Sequence, residues 1–140
     1  MAAGTLITEL HALWAADNTL CALLPAARVF TGRVPAPDSA TMPYARIEQP
    51  GGARGIRTNE SIYPEVSIVF HVWSDDFDTA DAIRKAIEQV YQNQEFDYDA
   101  GSVKDLRYNS HTSRQPDLPT YTAWETLVSY TAKCCQTRAR

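Results

Sequence analysis

Between residues 65 and 91 the spacing of apolar positions changes from a period of two to a period near 3.6, and the rest of the chain is organised around that change. Val66, Ile68, Phe70 and Val72 alternate with Glu65, Ser67, His71 and Trp73, which predicts a strand with four apolar side chains on one sheet face. Val69 shares the opposite face with Trp73, so that face is expected to be partly covered. Further on, Phe77, Ala80, Ile83, Ile87, Val90 and Tyr91 recur at helical spacing and predict a helix with one apolar stripe. Asp75, Asp76 and Asp78 stand where a helix start needs a capping oxygen and favours negative charge. A strand feeding a helix is the minimal unit of an α/β or α+β layer, and this one should hold the core.

The same patterns extend along the chain. Leu6, Leu10, Leu13 and Trp14, helped by Ile7, predict a first helix over 5–16 with Thr5 or Thr8 as its cap. Asp17 and Asn18 interrupt it, and a short helical stub follows until Pro25 stops it. Residues 28–31 read as a short strand, 32–43 as a proline-rich loop and 43–49 as a strand. The segment 50–61, PGGARGIRTNES, has three glycines, two arginines and no periodicity, which predicts a long mobile hairpin loop. After the central helix, Phe96 and Tyr98 mark one strand face. Residues 103–112 then alternate, with Leu106 and Tyr108 opposite Asp105, Arg107, Asn109 and His111, and 113–119 read as a proline-marked loop. Residues 121–134 form a long strand with Trp124, Thr126, Val128, Tyr130 and Ala132 on one face, and 136–140 read as a frayed tail. The expected fold is α+β: a single compact domain over 1–140, with a mostly antiparallel β-sheet of six strands and two main helices packed on it.

Composition removes several classes of function. At 140 residues the chain can bury about two thirds of its surface, so neither disulfide nor metal is needed for folding. A formal charge of −4 argues against nucleic-acid binding as the main role, because phosphate neutralisation needs clustered Lys and Arg. The first residues carry no basic charge before their apolar part and hold Glu9 and His11 within it, unlike a signal peptide, and no apolar run is long enough for a membrane span. A cytoplasmic site of synthesis is expected. Cys21 and the adjacent Cys134 and Cys135 read as free thiols.

Catalytic patterns are absent from the sequence. His11, His71 and His111 are dispersed without metal-ligand spacing, and His71 beside Trp73 reads as a hydrogen-bonded structural histidine. Capping accounts for the aspartates of 75–81 better than a cation loop does. No nucleophile elbow or phosphate-binding loop occurs, so no catalytic, cofactor or metal residue is assigned. What remains is an interaction protein, with Arg54 and Arg57, flexed by Gly51, Gly52 and Gly55, as the expected protein-contact residues. Of the tyrosines near strands, Tyr44, Tyr63, Tyr108, Tyr121 and Tyr130, some are expected at an interface and most in the core.

In order, LCALLPAARVFTG, the proline-rich approach to MPYARIEQ, VSIVFHVWSDDFDTADAIRKAIEQVY and the late WETLVSYTAK resemble the tail terminator, or tail completion, proteins of long-tailed bacteriophages and gene-transfer particles. The resemblance covers nearly the whole chain and implies a non-catalytic virion protein without cofactor. It implies self-assembly, commonly as a sixfold ring, on the head-proximal end of the tail tube after assembly in the bacterial cytoplasm. Its partners would be the major tail tube protein and the head connector, with DNA passing through the lumen without specific binding. Two other readings stand beside it: a head–tail connector or neck protein, and a small-molecule-binding or enzymatic α+β domain using His71 and a nearby acid.

Overall fold

The computed structural model describes residues 4–31, 42–50, 54–57, 61–114 and 124–137. The first helix, α1 (Leu6–Ala16), starts where Thr5 accepts a hydrogen bond from the Thr8 N–H. Asp17 ends it and at once caps α2 (Asn18–Leu23) by accepting from the Leu20 N–H at 2.8 Å. A single 3-10 turn, Ala26–Arg28, leads into β1 (Val29–Phe30), and β2 (Tyr44–Glu48) follows. Next come β3 (Arg54–Arg57), β4 (Ser61–Ser74), α3 (Phe77–Tyr91), β5 (Phe96–Tyr98), β6 (Gly101–Arg114) and β7 (Trp124–Thr137).

Six strands form one path, β1-β2-β4-β7-β6-β5, and β3 pairs with β4 beside it. All pairings are antiparallel except β1 with β2. A parallel pair needs a crossover of a dozen or so residues, which the stretch between Phe30 and Tyr44 supplies. The fold is thus α+β, with a mostly antiparallel sheet in a single compact domain.

The helices lie on the face formed by Val66, Ile68, Phe70 and Val72, all buried. Helix α3 packs across β4 and β7, while α1 packs on β2 and β5 and meets α2. Phe70 lies at the centre of an aromatic cluster, with ring centroids 4.7 Å from Tyr91, 5.8 Å from Tyr130 and 6.5 Å from Trp14. Three buried polar ends of these rings are satisfied by backbone: Trp14 Nε1–H donates to Leu24 O, Tyr91 Oη–H to Leu10 O and Tyr130 Oη–H to Ile87 O. Burial accordingly pushes the Tyr91 and Tyr130 hydroxyls far above their ordinary pKa.

Five details differ from the sequence reading. First, residues 54–57, expected in a mobile loop, form β3, in register with 62–65 of β4; the short RGIR run is stabilised by pairing with β4, a contact that local periodicity does not contain. Second, Phe77, expected on the buried helix stripe, is 41% exposed, and Ala86 takes a place in the core instead; at 3.6 residues per turn Phe77 lies nearly a quarter turn off Ile87. Third, β6 carries irregularities between Val103 and Asp105 and between Tyr108 and Ser110. Each extra residue reverses the alternation, so His111 lies on the side of Tyr108 and not with Arg107. Fourth, Gln136 and Thr137 belong to β7 and not to a frayed tail, and Gln136 Nε2 donates to Tyr98 Oη at 2.7 Å. Fifth, Ser113 and Arg114, expected in the loop over 113–119, extend β6. Tyr44 and Tyr130 are buried, in line with the expectation that most of the tyrosines near strands belong to the core. Of the loops predicted over 32–43 and 113–119, residues 32–41 and 115–119 lie outside the described residues, as does Tyr121.

Candidate functional site

The expected contact residues fall on the hairpin that begins the longest strands. Gly55 sits opposite Pro64 in the β3–β4 register, Arg54 opposite Glu65 and Arg57 opposite Ile62. A proline cannot donate to a ladder, so its place at this paired edge limits how far the β3–β4 hydrogen bonding can run. Gly51 and Gly52 lie outside the described residues. The backbone thus offers Arg54 and Arg57 on an ordered edge strand, next to where Ser61 of β4 pairs with Thr137 of β7.

The structure also assembles a charged row that the sequence did not reveal. On the sheet face opposite the helices, β2, β4, β7 and β6 bring together Glu48, His71, Glu125 and Arg114. His71 Nε2–H donates to Glu48 Oε2 at 2.6 Å, and His71 Nδ1 lies 3.9 Å from Glu125 Oε2. Arg114 Nε donates to Glu125 Oε1 at 2.5 Å. The His71 ring stacks on Trp73 at 5.6 Å, and Trp73 stacks on Tyr44 at 5.0 Å. His71 first, and Arg114 after it, hold the Glu125 carboxyl below the usual range, although burial works in the opposite direction.

The expectation of a hydrogen-bonded His71 is met, and its partner is a carboxylate. A His–Glu pair is also what an acid–base reading would ask for; here Glu48 accepts from His71 and Glu125 accepts from Arg114, so the row links four strands, and His71 Nδ1 is left without a hydrogen-bond partner. Its signal in the sequence was phase: Glu48, His71 and Glu125 each fall out of step with the buried residues of their strands. The other histidines have local duties. His11 Nε2–H donates to Ala26 O at 3.0 Å, and His111 lies 2.5 Å from Tyr108 Oη and 3.7 Å from Glu88. Among the described residues no group of three His, Cys, Asp or Glu side chains is arranged to hold a metal ion. No helix among them is long and apolar enough to cross a membrane.

A third feature lies at the far end of β4. Asp76 caps α3 by accepting from Thr79 N–H and Oγ1–H. Asp75 and Asp78 flank it and are exposed. Between them Phe77 leans edge-on against Trp124, with ring centroids 5.2 Å apart.

A family model described as tail completion protein gp17 matches residues 8–125. Among solved structures, a chain from the virion of a native gene transfer agent particle superposes with a TM-score of 0.78 at 17% identity, covering 93% of this chain and 94% of that one. At that identity the likeness speaks for the fold. No curated protein sequence matches.

Proposed function

We propose, for a chain that belongs to the tail completion protein gp17 family and is thus a structural component of a phage-type virion tail, that it caps the head-proximal end of the tail tube as a ring, commonly sixfold in such proteins. There it stops tube growth and offers its other side to the head connector. The observation that carries this reading is the family match, which spans the elements from α1 into β7. The fold is compatible with it. A cyclic ring needs two different complementary patches on each subunit, and the edge strand β3 and the exposed start of α3 are the candidates for them. DNA passes through the lumen without a specific site, in keeping with the formal charge of −4.

Electron microscopy of tails assembled with and without the protein tests this. Capped tubes of uniform length joined to heads are expected with it, and unterminated, headless tubes without it. Tubes that terminate normally in its absence, while the protein is found only on the portal side, would move it to the neck. Replacing Arg54 and Arg57 by Ala should weaken ring formation or tail joining by about tenfold, as rim and contact arginines do, and leave the thermal melt of the monomer in place. Unchanged joining would remove these two residues from the contact.

A further inference from the structure

Among the described residues the second half of β6 has a partner strand on one side only. Strand β5 pairs with residues 101–103, and beyond them β6 is bonded to β7 alone. In the middle of β6 the outward-turned backbone is taken: Leu106 O accepts from the Asn93 N–H, and the Tyr108 N–H donates to Gln92 Oε1. Tyr108 stands opposite Tyr130, and Val128 and Thr126, two and four residues before it in β7, stand opposite His111 and Ser113. An antiparallel ladder alternates, so the N–H and C=O of His111 and Ser113 also turn away from β7. Among the described residues nothing takes them.

Asn109, Ser110, His111 and Thr112 are exposed without a break, so neither face of the strand is covered there. Folded proteins commonly shield such an edge with lysine or proline. Residues 109–113 carry neither, and Arg114 is held by Glu125. A bulge marks only the start of the segment, between Tyr108 and Ser110. What fits a row of free backbone donors and acceptors is another extended strand.

The same sheet has a matching edge on its other margin. Strand β3 is bonded to β4 and to no further strand among the described residues. Its direction suits the pairing. Strands β6 and β4 are both antiparallel to β7 and so run the same way, whereas β3 is antiparallel to β4. When two copies of one orientation stand side by side, β3 of one therefore meets β6 of the other antiparallel, the more stable arrangement. The edges differ in height, since Arg114 lies in the row of Glu125 and Trp73 and β3 lies in the row of 62–65. Joined copies are thus offset along the strands by roughly 25 Å. That offset carries β1 and β2 of the incoming copy, which lie in the row of 69–73, past the end of β6. A ring of such copies closes with its strands inclined to the axis, as in a barrel.

We propose that the free edge of β6, centred on His111 and Ser113, accepts β3 of the next copy of this chain as an added antiparallel strand. The contact rests on the ring reading above, and it puts the β6 edge rather than the start of α3 opposite β3. Its two surfaces differ, so it is head-to-tail, as a ring requires.

A photo-crosslinker tests it: p-benzoylphenylalanine in place of the exposed Thr112, in a mixture of unlabelled and isotope-labelled chains added to tails that lack the protein. Mass spectrometry is expected to find position 112 of one chain joined to 54–57 of another. In a second arm His111→Pro removes an N–H that faces outward, so the thermal melt should stay near that of the parent chain while the crosslink falls by about tenfold or more. His111→Ala keeps the N–H and should crosslink in full; its loss there too would assign the effect to the side chain and overturn the strand pairing. Crosslinks to another part of a second copy or to a different protein overturn the contact, as does a folded His111→Pro chain that crosslinks in full. If His111→Pro does not fold, the crosslink map of the parent chain decides alone. Rings seen on tail ends without the 112-to-54–57 product overturn the contact and leave the ring reading standing, whereas tails that carry no ring overturn both.

Discussion

Single residues fix how closely the strands approach. Gly101 opens β6 against the backbone of β7, and a Cβ there would overlap the Cys135 carbonyl oxygen. Backbone cannot step aside as a flexible side chain does, so Gly101→Ala should destabilise the fold by about 1–3 kcal/mol, read from urea unfolding. At Glu125 the consequence is a pH dependence. Its folded pKa lies below the unfolded value, because His71 and Arg114 favour the carboxylate. The stability it contributes is therefore full above the unfolded pKa and is lost as pH falls through the folded one. Glu125→Gln should lower stability at neutral pH and flatten the acid limb of the stability profile below the ordinary glutamate range. An acid limb unchanged from wild type would assign the row no energetic role. The adjacent cysteines illustrate the same scale: on a strand they point to opposite faces, with Cys134 buried, its thiol pKa raised by burial, and Cys135 half-buried.

At the scale of elements, the helices were written most plainly. Asp76 caps α3, Thr5 caps α1, and the α3 stripe of Ala80, Ile83, Ile87 and Tyr91 is buried as its spacing demanded. At the far end of α3, Asn93 takes φ 63°, the left-handed turn that Asn tolerates, and its N–H donates to Leu106 O, tying the helix to β6. How α3 meets α1 was not written, because Tyr91 and Leu10, which bond across them, are far apart in sequence. Tyr91→Phe removes the Tyr91 Oη–H bond to Leu10 O and should cost about 1 kcal/mol with the helix content intact, measured by denaturation followed by circular dichroism. The strands were legible where alternation was long. They were misread at β3, too short to show a period, and in β6, where bulges reverse the period without a residue type that announces them.

Taken whole, the molecule is one core wrapped around Phe70, which touches rings from α1, α3 and β7. Phe70→Ala should therefore destabilise by about 3–5 kcal/mol. Helix and sheet signals should fall together in one transition, because no element keeps a core of its own. Separate transitions for the helices and the sheet would break that picture.

The sequence by itself determined the elements and their inward faces, since periodicity and capping act over one or two turns and are carried by neighbouring residues. It also showed the absence of catalytic spacing and, through the order of its segments, a likeness to tail completion proteins. Only the tertiary structure decided the strand order, the pairing of 54–57 with β4, the meeting of His71 with Glu48 and Glu125, and the exposure of Phe77 beside Trp124. Each of these joins residues distant along the chain. Their proximity is set by which strands neighbour one another, and no local pattern encodes that.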